Sequence, residues 1–353
     1  MPDSGQRTPD SGPRTSDSGP RTAVGDLGER ALIERIRARI PPSEQLVVGI
    51  GDDAAVAIPD RGSLEVLTTD ALVEGVHFER RFSSPADIGY KALAVNLSDI
   101  AAMGGTPRFA LLSLMLPESL PVADVDQLLD GLLEMAAAAR VAVVGGNITR
   151  SPGPLIVDVT ATGTARPRKV LTRGGGRPGD ALFVTGTVGA AAAGLGWLRQ
   201  HAGTGDPPAR LAEAVNRHRR PVPRVRIGAM LGRTRAATAC MDSSDGLADA
   251  VRQIAAASGT GAVIDAASVP VDPGVREWFT TAGKDPISAS VSGGDDYELL
   301  FSVSRRSLGR LRSVIQDARG VPVTRIGELT ADKSVLLLVD GKPSALPCGF
   351  AHF

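Results

Sequence analysis

Aromatic residues are scarce: Phe, Trp and Tyr together make up 3% of the chain. That leaves little material for the base-stacking platforms used by single-strand nucleic-acid binders. Cysteine is scarcer still, with only Cys240 and Cys348. Two such residues make neither a disulfide framework nor a zinc pattern, and both read as small apolar residues of a core. There is no excess of charge of either sign, 39 basic residues balancing 39 acidic ones. This argues against a broad electrostatic surface for nucleic acid. No apolar run approaches the roughly 18 residues of a membrane span, and the polar start lacks the apolar segment of a signal peptide. We therefore expect a cytoplasmic protein with no membrane and no nucleic-acid partner. Gly-x-x-x-x-Gly-Lys-Ser/Thr is missing, so this is no P-loop enzyme, and no kinase catalytic loop appears. The histidines are scattered without zinc spacing. His201 and His218 read as solvated surface, whereas His77, close after Asp70, is placed to reach a substrate.

What is present suffices for two soluble domains: 353 residues, 42% hydrophobic and 22% charged. The chain opens with a seven-residue unit repeated over 2–8, 9–15 and 16–22. Nothing in it fills an apolar seam, so it is no coiled coil. It buries too little to offset chain entropy. The expected organisation is a disordered tail over 1–24, an N-terminal domain over 25–165 and a C-terminal domain over 166–353, joined through a Gly, Pro and Arg-rich stretch over 166–179. Strands are expected over 46–50, 54–58, 64–69, 109–116, 141–144, 155–164, 181–185 and 298–303. A helix is expected over 85–103, because proline suits a first turn and Gly104-Gly105 a stop. The stretch 122–140 is amphipathic, 246–257 reads as another helix, and 201–208 as a loop. The fold class is α/β (α+β), with mixed sheets rather than a purely parallel one.

Short acidic clusters recur at Gly49-Ile50-Gly51-Asp52-Asp53, Thr68-Thr69-Asp70, Asn96-Leu97-Ser98-Asp99, Asp242-Ser243-Ser244-Asp245-Gly246 and Gly293-Gly294-Asp295-Asp296-Tyr297-Glu298. Like charges in one cleft repel and call for cations. Carboxylate, hydroxyl and carbonyl oxygens are hard ligands suited to Mg²⁺, and through it to a polyphosphate. Three of these clusters also have a plainer reading. The first mimics a dinucleotide fingerprint, but the strand-like 54–58 and Pro59 follow where a helix should start. A Gly-Asp-Asp hairpin turn is its other alternative. Ile88, Ala92, Val95, Asp99 and Ala102 follow steps of four and three, which places Asp99 on an inward helical stripe. A carboxylate there needs a metal or a partner, and Lys91 or Arg108 are the structural candidates. Asn96, one turn earlier, adds a polar oxygen. In the fourth cluster one Ser or Asp suffices as an N-cap, and two of each exceed that need. The Gly-rich run 171–176 offers Arg173 and backbone N–H groups to a phosphate, or serves as an interdomain loop.

Taken together these motifs resemble the thiamine-monophosphate kinase family. They are Gly-Ile-Gly-Asp-Asp-Ala at 49–54, Thr-Thr-Asp-Ala-Leu-Val-Glu-Gly-Val-His-Phe at 68–78, and Lys-Ala-Leu-Ala-Val-Asn-Leu-Ser-Asp-Ile-Ala-Ala-Met-Gly at 91–104. Val-Gly-Gly-Asn at 144–147, Leu-Thr-Arg at 171–173, Val-Thr-Gly-Thr-Val-Gly at 184–189, Asp-Ser-Ser-Asp-Gly-Leu at 242–247 and Ser-Gly-Gly-Asp-Asp-Tyr-Glu-Leu at 292–299 complete the set, in order. The resemblance implies the two-domain aminoimidazole ribonucleotide synthetase-like fold, a homodimer paired through the N-terminal domains, and phosphorylation of thiamine monophosphate by ATP. It implies Mg²⁺ ligands at Asp53, Thr68, Thr69, Asp70, Asp99, Asn147, Asp242 and Asp245. It implies ATP contacts at Gly146, Arg173 and Ser244, and acceptor contacts at His77, Asp295 and Phe350. Asn147 departs from the family's usual Asp, and Asp295 from its frequent Glu. Transfer is expected to be direct and in line, with several Mg²⁺ ions, no phosphoenzyme and no side chain acting as nucleophile or base. Selenophosphate synthetase, a relative of the same fold, needs a reactive cysteine near its glycine-rich start, which this chain lacks. The hydrogenase-maturation relative ends in cysteine, whereas Cys348 is followed by five residues. A silent nucleotide-binding scaffold is the alternative from another class, and Asn147 is the one feature that favours it.

Overall fold

The computed structural model describes residues 22–50, 54–201 and 205–349. Asp53, Phe350 and the repeats up to residue 21 lie outside the described residues. The chain is in place by Thr22, earlier than Gly25, because the edge of a helix entry receives it. The Val24 N–H donates to the Leu120 carbonyl at 2.8 Å, and the Val122 N–H to the Thr22 carbonyl at 2.9 Å.

The strands run in chain order as β1 (Leu46–Val48), β2 (Val56–Ala57), β3 (Leu64–Val73), β4 (Thr106–Pro117), β5 (Ala142–Ser151), β6 (Ile156–Ala165), β7 (Ala181–Thr185), β8 (Ala239–Asp242), β9 (Gly261–Asp265), β10 (Leu299–Val303), β11 (Val323–Thr330), β12 (Val335–Val339) and β13 (Lys342–Ala345). β1 and β2 pair antiparallel, and residues 54–58 hold strand β2 and no helix, so the dinucleotide reading has no support. β3-β6-β4-β5 form a four-stranded sheet, antiparallel except for the β4–β5 pair. A seven-stranded mixed sheet follows in the order β13-β12-β9-β11-β7-β10-β8. This is the mixed α/β class expected from the sequence.

β3 passes through Asp70 to Val73 rather than stopping at it, and β5 passes through Gly145-Gly146 to Ser151. Local propensity undervalued both, since Asp and Gly are poor strand formers. Pairing with β6 and β4 overrides it. One row crosses the sheet from Asp70 through Val159 and Leu112 to Gly146.

The Pro85–Ala102 helix starts as expected. Ser84 accepts from the Asp87 N–H and the Asp87 carboxylate accepts from the Ser84 N–H, both at 3.2 Å, with proline at the first turn. It lies against the Val122–Ala139 helix, and the two backbones touch where glycine permits. A Cβ on Gly89 would fall 1.8 Å from the Leu128 carbonyl oxygen, and one on Gly131 the same distance from that of Ala86. These contacts hold the helix that carries both Lys91 and Asp99 firmly over the sheet. Gly131→Ala should therefore lower unfolding free energy by about 1–3 kcal/mol through overpacking. Urea titration followed by circular dichroism checks this, and an unchanged midpoint would refute the close-contact account.

Candidate active site

Three carboxylates from separate elements set the electrostatics of one end of the cleft. Asp70 comes from β3, Asp99 from the last turn of the Pro85–Ala102 helix and Asp242 from the end of β8. The Thr68 hydroxyl donates to Asp99 at 2.5 Å. Asp242, 4% exposed, accepts from the Ser98 hydroxyl at 2.7 Å and the Ser244 hydroxyl at 3.3 Å. The Ser98 bond joins residues 144 positions apart, and with it the two sheet-bearing halves.

Burial pushes the Asp70 carboxyl up to about 7, and repulsion from Asp99, Asp242 and Asp158 adds to it. Burial and then Asp99 carry Asp242 up to about 6, against the Ser98 and Ser244 hydroxyls and the Arg173 guanidinium. Asp99 is raised by burial as well, while Thr68 and Arg173 pull it back. The group is short of positive charge. Neither expected partner supplies it. Lys91 binds Asp295, and Arg108 donates to the Gln45 side chain and the Ile58 carbonyl. Capping does not account for the Asp242–Gly246 run either. The Leu247–Ser258 helix has Gly246 at its N-cap, with no side-chain hydrogen bond there.

Donors of oxygen alone fit a hard divalent cation. Asn96 points the same way: its Nδ2 donates to the Ala92 carbonyl at 3.0 Å, and its buried Oδ1 has no hydrogen-bond partner. Among the described residues, no three Asp, Glu, His or Cys side chains gather tightly enough to hold an ion alone.

Strand alternation divides the remaining candidates between two faces. Thr68 and Asp70 share the helix-covered face. Thr69 turns to the opposite one, where its hydroxyl meets Asp158 at 3.0 Å and Thr160 at 3.1 Å. Asn147, in register with Ser113 and hence with Asp158, belongs to that second face. Gly146 lies in the Asp70 row, and a Cβ there would sit 1.9 Å from the Leu112 carbonyl oxygen. Arg173 is exposed and donates to Gln253. Asp245 is half-buried, and the Ser244 carbonyl accepts from the Asp295 N–H at 2.8 Å.

The other end of the cleft is built around Asp295. Its carboxylate accepts from the Lys91 ammonium at 2.8 Å and from the Tyr297 hydroxyl at 3.2 Å. Burial would raise this carboxyl, but the ammonium and the nearby His218 hold it well below the usual carboxylate range. His77 accepts from the Val73 N–H at its Nδ1, 3.1 Å away, so the neutral ring keeps its hydrogen on Nε2. His218 corrects the surface reading: it is 3% exposed, within the Ala209–Arg219 helix. Leu211, Ala214, Val215 and His218 follow steps of three, one and three on the buried face of that helix. This periodicity was the available signal. For Lys91 the signal was its place on the same stripe as Val95 and Asp99. A separate cavity of about 520 Å³ opens beside Arg166, Lys169, Arg226 and Arg233, and none of the candidate residues lines it.

Known proteins match this arrangement over nearly its whole length. The model of the AIR synthase related protein N-terminal domain matches residues 51–165, and that of the C-terminal domain residues 177–340. The thiamine-monophosphate kinase of Escherichia coli (strain K12) is 39% identical over 331 residues, covering 92% of this chain and 98% of its own. The crystal structure of thiamine-monophosphate kinase from Stenotrophomonas maltophilia K279a is 37% identical, with a TM-score of 0.79 over 89% of this chain and 96% of its own. AaThiL complexed with AMPPCP and TMP is 32% identical, with a TM-score of 0.74 over 95% of this chain and all of its own. Identity of this level over this length makes the chain a member of the thiamine-monophosphate kinase family, built on the two AIR synthase related domains.

Proposed function

We infer that the chain transfers the γ-phosphoryl group of ATP to thiamine monophosphate, giving ADP and thiamine diphosphate, the last step of thiamine diphosphate biosynthesis. The observation that carries this reading is the Ser98–Asp242 bond of 2.7 Å, which gathers the acidic ends of both halves into one cleft. A relative that aligns over 95% of this chain was solved with AMPPCP and TMP bound, which supports the same pair of reactants here.

Asp53, Thr68, Asp70, Asp99, Asp242 and Asp245 are the proposed Mg²⁺ ligands, and Thr69 and Asn147, which lie on the opposite face of the first sheet, are set apart from them. Gly146, Arg173 and Ser244 meet ATP, and His77, Asp295 and Phe350 meet the acceptor. Mg²⁺ bound among the carboxylates would neutralise charge between two anionic reactants. The chain's own residues do the rest by positioning. Ser98 and Ser244 orient Asp242, and Thr68 orients Asp99. Arg173 brings a planar cation suited to phosphate. His77 offers Nε2–H as a donor. The acceptor phosphate has a second pKa of about 6 and is already largely ionised, so no strong general base is required.

We take the division of the chain near residue 166 as its domain boundary, supported by β6 ending at Ala165 and β7 opening the second sheet at Ala181. A homodimer is supported by the outer face of the first sheet, where Leu67 is 70% and Leu111 40% exposed. No helix among the described residues is long and apolar enough to cross a membrane, which accords with a cytoplasmic place of action.

Steady-state formation of thiamine diphosphate from ATP, Mg²⁺ and thiamine monophosphate tests the activity, and its absence would refute it. Asp99→Asn should reduce turnover by about 100-fold with the fold intact; wild-type turnover would remove Asp99 from the site. Asp70 has an ordinary value of 3.8 raised to about 7 in the folded chain, so its contribution to stability is full below the former and lost as pH rises through the latter. Without metal, wild-type protein should therefore lose melting temperature between about pH 4 and pH 7, and Asp70→Asn should flatten that slope. Equal slopes in differential scanning calorimetry would argue against the shared-charge account. Leu67→Asp should convert the dimer to monomer in sedimentation velocity, and an unaltered dimer would place the interface elsewhere.

A further inference from the structure

Lys91 stands where the two halves of the acceptor end meet. Its ammonium donates to the Asp295 carboxylate at 2.8 Å and to the His77 carbonyl at 3.3 Å. Those two acceptors lie 204 and 14 residues away in sequence. Both belong to residues assigned above to the acceptor. Side-chain exposure separates the roles within the pair: Lys91 is 3% exposed and Asp295 is 31% exposed. The ammonium is therefore enclosed, and the carboxylate is the partly exposed member of the pair. His218, also 3% exposed, approaches the same carboxylate oxygen at 3.5 Å, and its Nδ1 has no hydrogen-bond partner. The loop itself is held against its preference. Asp295 at φ 69° and Tyr297 at φ 50° are left-handed, which residues other than glycine adopt when the surroundings over-determine them.

A buried ion pair that served stability alone would gain little over apolar packing. It would not need a half-open carboxylate, nor a second bond to the backbone of another acceptor-side residue. We propose that Lys91 is a positioning residue for the acceptor: it fixes the Asp295 carboxylate and the His77 segment at a set offset, so that together they receive the cationic, amine-bearing heteroaromatic end of thiamine monophosphate. This rests on the acceptor assignment made under the proposed function. A carboxylate kept ionised attracts a thiazolium ring and accepts from an exocyclic amine. His218 lies against the same carboxylate.

The test is a cycle of variants, with thiamine monophosphate binding followed by calorimetry. Lys91→Met and Asp295→Asn should each weaken binding by about tenfold or more, and the double variant should bind no worse than Asp295→Asn alone. KM for ATP should stay within about twofold in all three. In Lys91→Met, KM for thiamine monophosphate should rise more steeply than in wild type as pH falls from about 8 to about 6, because Asp295 then takes up a proton more easily. A folded Lys91→Met with unchanged affinity overturns the proposal, and so do additive losses in the double variant. If Lys91→Met fails to fold, the double variant decides against Asp295→Asn: equal affinity supports the proposal, and a further loss overturns it. A wild-type chain that forms no thiamine diphosphate and binds no thiamine monophosphate overturns the acceptor assignment and this inference with it.

Discussion

Mutual repulsion among Asp70, Asp99 and Asp242 is the constraint around which the molecule is arranged. Each carboxylate is brought in by a different element, and burial keeps water from screening them. The chain spends local order to hold them there. Thr68 and Ser98 donate hydroxyls, and the Ser98 bond spans the two sheets. The Arg173 guanidinium offsets the repulsion only in part at Asp99 and Asp242, so the carboxyls stay raised. The nearest buried ammonium, Lys91, is committed to the opposite end of the cleft. A site left short of positive charge in this way is receptive to metal-bound polyphosphate, which explains why destabilising charge density and function coincide.

The acceptor end uses the reverse logic. Asp295 is supplied with an ammonium, a phenol and a neighbouring imidazole, and its carboxyl is held low instead of high. Two ends of one cleft thus hold carboxylates whose environments pull their affinities for protons apart. Such a split suits the separate metal-binding and cation-receiving roles proposed for them.

Much of this was legible in the amino-acid order. The Pro85–Ala102 helix announced itself by Pro85 and the glycines after Met103, and the inward place of Asp99 followed from its spacing. The acidic clusters were visible because carboxylates beside glycine and hydroxyl residues have no ordinary use at strand ends. Strand extents were less legible. β3 and β5 continue through Asp70 and Gly145-Gly146 because neighbouring strands complete their hydrogen bonds, a cross-chain effect no local window contains. The same holds for the split of Thr69 and Asn147 from Asp70, which depends on register. His218 was misplaced because a histidine between arginines looks solvated until the helix around it is packed.

The Pro85–Ala102 helix carries Lys91 and Asp99 eight residues apart, a rise of about 12 Å along its axis. Pinned by the glycine contacts to its neighbour, the helix sets a fixed interval between the proposed phosphate-binding end and the proposed ring-binding end. Molecular length then becomes a criterion of selection in its own right. On those assignments, an acceptor too short to span the interval would satisfy one end or the other, and inorganic phosphate would be disfavoured by geometry rather than by charge.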